Sequence, residues 1–166
     1  MNAFWSYFWP AFGAGLLFGG VAGAIGFRPR AKRNLALALG VVASIAAALL
    51  WHGPLGAGDR FTAEVERNAR RTVVYYEVPL VSAHLHHAPL TRQILLSGPA
   101  DDFQRSELVR VMEDIPGVSD ATWSSGGVTL PLIAEGAAVS VLGFLFGLLL
   151  AYLVELRRRY NAQWNW

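Results

Sequence analysis

Few side chains in this sequence have the types and spacing needed for chemistry. The segment HLHH places His84, His86 and His87 in a predicted strand, where the first two share one face, as two metal ligands would. No carboxylate lies close by in the sequence to complete a site, and the chain contains no cysteine. We therefore predict no metal and no cofactor, and we interpret these histidines as exposed residues of an edge strand.

Two acidic residues lie at the ends of a long apolar segment. Glu135 follows Pro131 by four residues, and Glu155 precedes a run of arginines. An acid within a membrane span is a functional candidate by default, but Glu135 lies close enough to the predicted membrane edge to reach water. Glu155 can pair with the arginines beside it. Because the sequence also lacks a nucleophile with its base, a phosphate loop and paired carboxylates, we predict that the protein is not an enzyme.

The composition indicates a membrane protein. Apolar residues make up 54% of the chain and charged residues 16%, which is too apolar for a water-soluble protein of this size. The formal net charge of +2 is too small to suggest nucleic acid as a partner. A membrane helix needs about 20 predominantly apolar residues. Three segments qualify, at about residues 8–27, 35–51 and 132–156, so the predicted fold is a membrane α-helical protein with three transmembrane helices.

The basic residues near the span ends predict the orientation in the membrane. They are absent before the first span, and they occur in the loop 28–34 and just after the third span: Arg28, Arg30, Lys32, Arg33, Arg157, Arg158 and Arg159. The positive-inside rule places this loop and the carboxyl terminus in the cytoplasm. We therefore expect a bacterial inner-membrane protein with its amino terminus and residues 52–130 in the periplasm.

Residues 57–125 form a predicted small α/β domain, between the first two spans in residues 1–56 and the third span and tail in residues 126–166. From Asp59 to Asp120 the formal net charge is −3. Phe61, Val65 and Ala69 recur at helical spacing, and we predict a helix with Asp59 as its N-cap.

The rest of this domain is predicted as two strands, a helix and a strand, which gives the order αββαβ. Residues 78–87 and 91–98 are short segments bounded by turn residues and predict a hairpin. Residues 101–115 predict a helix with acidic residues in its first turn. Residues 117–123 predict the third strand. The apolar residues expected to face the core from the second helix are Phe103, Leu108, Val111 and Ile115.

A short motif in this domain resembles a known family. The fragment ILLSG, followed after a helix by IPGV and a short strand, resembles the BON domain, a small bacterial envelope module with a Val-x-Leu-x-Gly strand, a helix and a Gly-Val turn. The matching residues are Ile94, Leu96, Gly98, Gly117 and Val118. The resemblance covers about residues 59–123, and the three spans depart from the many family members that are soluble or lipid-attached. It implies attachment to phospholipid, envelope or partner proteins without catalysis.

Two predicted spans carry stripes of small residues at four-residue spacing or close to it. The stripe on the first span comprises Gly15, Gly19 and Gly23, and that on the third comprises Gly136, Ser140, Gly143 and Gly147. Small residues let another helix approach closely. The two stripes can pack on each other within one chain or on a neighbouring subunit, and the second arrangement is the one we expect.

The expected function is that of a non-catalytic accessory or scaffold subunit of a larger bacterial inner-membrane complex, photosynthetic or respiratory. Its expected partners are other integral membrane subunits and membrane lipids. One alternative is a stand-alone or homo-oligomeric envelope-anchoring protein that binds lipid or cell wall, although an acidic domain is repelled by anionic lipids. Another is a small transporter or channel component, which the absence of charged or broken helices within the spans disfavours.

Overall fold

The computed structural model describes residues 2–27, 32–124 and 129–163. The helices are α1 (Ala3–Gly26), α2 (Arg33–His52), α3 (Ala57–Tyr75), α4 (Asp102–Glu113) and α5 (Leu132–Gln163), and the strands are β1 (Ser82–His87), β2 (Leu90–Ser97) and β3 (Asp120–Thr122). The chain forms two compact units. The α/β unit comprises Met1–Tyr7 and Gly56–Glu135, and the helical unit comprises Phe8–Leu55 and Gly136–Trp166.

Within the described ranges, three helices, α1, α2 and α5, are long and apolar enough to cross a membrane. α1 begins earlier than the predicted span because Asn2 acts as its cap: the Asn2 side-chain oxygen accepts the Trp5 N–H, and the Asn2 carbonyl accepts the Ser6 N–H. α5 continues beyond the predicted end at residue 156. Its last turns are supported by an ion pair between Glu155 and Arg159 at helical spacing, with 3.0 Å between the oxygen and Nε.

The α/β unit contains a three-stranded sheet in the order β1-β2-β3. β1 and β2 are antiparallel and form the predicted hairpin, whereas β2 and β3 are parallel. Parallel neighbours need a crossover connection, and α4 provides it. The element order of this unit from α3 to β3 is therefore the predicted αββαβ.

Buried apolar side chains from the two helices and the sheet form the core of the α/β unit. The predicted face of α3 is confirmed, since Phe61, Val65 and Ala69 are all buried. The other large contributors are Val73, Leu85, Ile94, Leu96, Leu108, Met112 and Ile115.

Two details of the predicted helices are wrong. Phe103 is 74% exposed, and Met112 is fully buried in the core instead. Leu108 and Met112 are one helical turn apart on the buried face, whereas Phe103 precedes Leu108 by five residues and therefore points elsewhere. Asp59 lies in the first turn of α3, whose N-cap is Gly56 with φ of 69°. Glycine adopts this left-handed conformation without strain.

Candidate interaction sites

The first three residues of the predicted domain motif shape the end of β2. Ile94 and Leu96 are buried in the core. Gly98 follows the strand with φ of +129°, and a Cβ at this position would lie 2.5 Å from the carbonyl oxygen of Leu80. Only glycine fits both the backbone conformation and the close approach.

The other two motif residues lie in the turn after α4. Gly117 has φ of +109°, and a Cβ there would lie 3.1 Å from the ring of Phe61. Val118 is half-buried, and its N–H donates to the carbonyl of Ile115. Both glycines of the motif therefore serve the packing of the α/β unit.

Glu66 on α3 meets the outer edge of β1. Its Oε1 accepts the N–H of Leu85 at 3.2 Å, and it lies 3.1 Å from His87 Nε2 and 3.8 Å from His84 Nδ1. Regular alternation would put His84 and His86 on one face of the strand. The strand is irregular between Leu85 and His87, however, and His87 lies beside the carboxylate instead. A charged side chain bonded to an edge N–H protects the sheet from pairing with another chain.

The described residues contain no group of three or more His, Cys, Asp or Glu placed to hold a metal ion. The Nδ1 of His86 lies 3.0 Å from the carbonyl oxygen of Pro89.

Glu135 forms an ion pair with Arg92 of β2, with 2.7 Å between Oε2 and Nε. Both side chains are mostly shielded from solvent. The guanidinium of Arg92 also lies 5.6 Å from the centre of the Phe4 ring, and the Tyr7 hydroxyl donates to the Leu132 carbonyl at 3.4 Å. These contacts join the amino-terminal segment, β2 and the start of α5 within the α/β unit. The partner of Glu135 was not predicted, because Arg92 is remote from it in sequence.

One end of the α/β unit holds the points at which the chain enters and leaves it. The ring of Tyr7 contacts that of Phe61 near the start of α3, with 5.6 Å between their centres. Thr91, near the start of β2, pairs with Pro131. Tyr7, Gly56 and Glu135 are the residues at which the unit borders the rest of the chain.

The opposite end of the unit lies where α3 and β2 finish and α4 begins. α3 has 19 residues, so its last residue lies about 27 Å along its axis from its first. Gly98 contacts Leu80 and precedes α4 by four residues, which brings these segments to the same end. Tyr75 is 81% exposed and Leu80 is 76% exposed. We define the free-end surface as the exposed side chains Val74, Tyr75, Tyr76, Leu80 and Phe103.

The free-end surface was not predicted from the sequence. A usable signal was present, because the apolar run at residues 73–76 continues beyond the buried stripe of α3, of which Val73 is the last member. Adjacent residues on a helix point in different directions, so a run of four cannot be buried on one face.

In the helical unit, α1 and α5 pack through their stripes of small residues. A Cβ at Gly15 would overlap the carbonyl of Ser140, and one at Gly19 would overlap that of Phe144. A Cβ at Gly23 would lie 2.6 Å from that of Ala151. The stripe on α1 is therefore in contact with the backbone of α5.

The stripe on α5 makes the reciprocal contacts. A Cβ at Gly143 would overlap the carbonyl of Phe12, and one at Gly147 would overlap that of Leu16. Gly136 is buried. The two stripes pack on each other within one chain, so the expectation that they pack on a neighbouring subunit is wrong.

α2 joins this pair through small residues and one hydrogen bond. Its buried residues are Gly40, Ser44 and Ala48, each four residues apart. The hydroxyl of Ser140 donates to the carbonyl of Ser44 at 2.9 Å in a buried environment.

Five residues of the basic set that predicts the orientation lie where α2 begins and near the end of α5. Lys32 and Arg33 are exposed at the start of α2, and Arg157, Arg158 and Arg159 are exposed near the end of α5. Arg159 also donates to the carbonyl of Phe27 at 3.3 Å, so the end of α1 and the end of α5 meet. Two residues of the predicted set, Arg28 and Arg30, lie outside the described residues.

No family model, curated protein or solved structure matches this chain. Its function has to be inferred from its own residues and contacts.

Proposed function

We propose that this protein is a non-catalytic accessory or scaffold subunit of a larger bacterial inner-membrane complex. In this proposal α1, α2 and α5 span the membrane, the α/β unit lies in the periplasm, and the free-end surface docks on another subunit. The observation that carries the proposal is the exposure of five large apolar side chains at the end of the α/β unit that is remote from its chain connections.

The composition of the free-end surface supports a protein partner. Tyrosine and phenylalanine are enriched in the cores of protein interfaces, and large apolar side chains exposed at one end of a domain are typical of an interaction site. The unit has a buried core without these residues, so their burial is not needed for its own folding. A docking role accounts for apolar area that would otherwise be exposed to water.

Two further observations support the proposed orientation and the BON-like fold. Arg159 near the end of α5 bonds to Phe27 at the end of α1, and Gly26 of α1 lies beside Arg33 at the start of α2, as expected for cations on one cytoplasmic side. The BON-like fold is supported by the αββαβ order and by the positive-φ glycines Gly98 and Gly117 at the motif positions.

Cysteine labelling tests the orientation, because the chain has no cysteine of its own. Ser106 and Asn161 are exposed residues of α4 and α5. We expect a membrane-impermeant maleimide to label the Ser106→Cys variant in intact spheroplasts, and to label Asn161→Cys only after the membrane is opened. Labelling in the reverse order would refute the periplasmic assignment.

A matched pair of leucine substitutions tests the docking role. Leu80 belongs to the free-end surface, whereas Leu130 lies outside it and is exposed to a similar extent, 69%. We expect the protein in mildly solubilised native membranes to migrate with a large complex on a native gel. Leu80→Ser should release it from this complex because the docking surface loses apolar area, and Leu130→Ser should not. If the wild-type protein migrates as a protomer or a small self-oligomer, the envelope-anchoring alternative replaces this proposal.

A further inference from the structure

We infer that the helical unit binds an anionic phospholipid, with one acyl chain in a groove between α1 and α2 and the headgroup at Lys32. The inference rests on the proposed insertion of the three helices in a membrane, and it identifies a specific lipid site on them. The α1–α2 groove has a volume of about 330 Å³ and is lined mainly by Phe18, Val21, Ile25, Leu35, Leu39 and Ala43.

The depth of the α1–α2 groove matches one leaflet of a bilayer. Its lining residues on α2 extend from Lys32 to Ala43. At the rise of an α-helix this distance is about 16 Å, which is about half of a 30 Å hydrocarbon core. An acyl chain of a phospholipid occupies this depth, and the groove provides apolar side chains along it.

The chemistry at one end of the groove selects an anionic headgroup. Lys32 lines this end and is exposed, and in the described part of the chain no carboxylate lies within 4.0 Å of its ammonium group. Lys32 is also the N-cap of α2, which has neither a side-chain cap nor an acidic residue in its first turn. The first backbone N–H groups of a helix lack partners within it and attract anions. A lipid phosphate at this position would meet the Lys32 ammonium group.

A second groove, between α1 and α5, shows why the charge arrangement matters. It has a similar volume of about 300 Å³ and is lined by Leu16, Ala24 and Phe27 among others. It also ends at a cation, Arg158, but Glu155 lines the same end and lies 4.0 Å from that arginine. The Glu155 carboxylate repels a phosphate at this end, whereas Lys32 has no such neighbour among the described residues, so the anionic lipid is assigned to the α1–α2 groove.

Native mass spectrometry of the full-length protein tests the headgroup contact. The protein is held in detergent micelles that contain equal amounts of phosphatidylglycerol and phosphatidylcholine. We expect the wild type to retain one phosphatidylglycerol in preference to phosphatidylcholine. Lys32→Gln should reduce this preference about fivefold, the effect of one cation near an anionic membrane surface, and Lys32→Arg should preserve it. An unchanged preference in Lys32→Gln overturns the headgroup assignment. Because Lys32 is exposed, its substitution is not expected to disturb the fold.

A matched pair of alanine substitutions tests the groove. Ala36→Leu adds the same bulk to the α1–α2 groove that Ala24→Leu adds to the α1–α5 groove. We expect Ala36→Leu to lose the bound phosphatidylglycerol and Ala24→Leu to retain it. Equal retention by both variants overturns the groove assignment, as does the finding that the wild type retains only detergent or free fatty acid. Resistance to alkaline carbonate extraction reports membrane insertion separately, so loss of the lipid site is distinguishable from failure of the proposed function.

Discussion

The two units of this protein hold their elements together by different means. The α/β unit buries large apolar side chains such as Phe61, Ile94 and Met112 between its helices and sheet. In the helical unit, α1 and α5 meet at glycines, and a Cβ at Gly19 would overlap the backbone of the facing helix. Burial of apolar area from water drives the first kind of packing. We propose that the helical unit lies in lipid, where that drive is absent and close contact between helices and hydrogen bonds replace it. Large side chains therefore stabilise the α/β unit, whereas at the contact between α1 and α5 they would disrupt the helical unit.

Removal of volume from the core of the α/β unit is expected to have the largest effect. Phe61 is 2% exposed and Phe103 is 74% exposed. Phe61→Ala should lower the free energy of unfolding of this unit by about 3–5 kcal/mol, because it removes buried area and leaves a cavity. Phe103→Ala is the matched control and should change it by less than about 0.5 kcal/mol. Urea unfolding of the full-length protein in detergent, followed by circular dichroism, measures both values. Similar losses in the two variants would contradict the described core.

Addition of volume is the corresponding change in the helical unit. Gly19→Leu should lower its stability by about 3 kcal/mol, the upper part of the usual range for overpacking, because the side chain would meet backbone that cannot move aside. Gly20 is the adjacent control, since a Cβ there has no atom within 4 Å. Gly20→Leu should therefore be close to neutral. Unfolding in mixed micelles of increasing SDS content measures the difference.

The same pair of glycine variants sharpens the interpretation of the stripes. If the α1 stripe served only a neighbouring subunit, Gly19→Leu would weaken the complex and leave the protomer as stable as the wild type. Because α1 and α5 are in contact within one chain, we expect Gly19→Leu to lower the stability of the isolated protomer.

Features set by local periodicity could be predicted from the sequence. The three long helices follow from segment length and apolar content, and the buried face of α3 follows from the four-residue spacing of Phe61, Val65 and Ala69. In each case one segment of chain carries the whole signal.

Features that depend on contacts between distant segments could not be predicted. Glu66 reaches His84 and His87 only because α3 packs beside β1 and the strand is irregular between Leu85 and His87. Glu135 finds Arg92 only after β2 and the start of α5 are brought together.

The sequence also could not predict which side of α4 is buried or which neighbouring helix a glycine stripe meets. Spacing alone does not say which of several apolar residues on a short helix face the core, so Phe103 was assigned to it and Met112 was not. The stripes of glycine showed that helices would pack closely, but not which helix each would meet.

The smallest expected effect concerns the hydrogen bond between α5 and α2. Ser140→Ala removes the donor to the Ser44 carbonyl, and the helical unit should lose about 0.6 kcal/mol, with an upper limit of about 1.7, as found for hydrogen bonds between membrane helices. Ser44→Ala is the control, because the hydroxyl of Ser44 bonds within its own helix to Val41 and the carbonyl acceptor stays in place. It should be nearly neutral in the same SDS unfolding assay. A loss for Ser140→Ala as large as that for Gly19→Leu would mean that polar contacts, and not the close approach of glycine-lined backbones, hold the helical unit together.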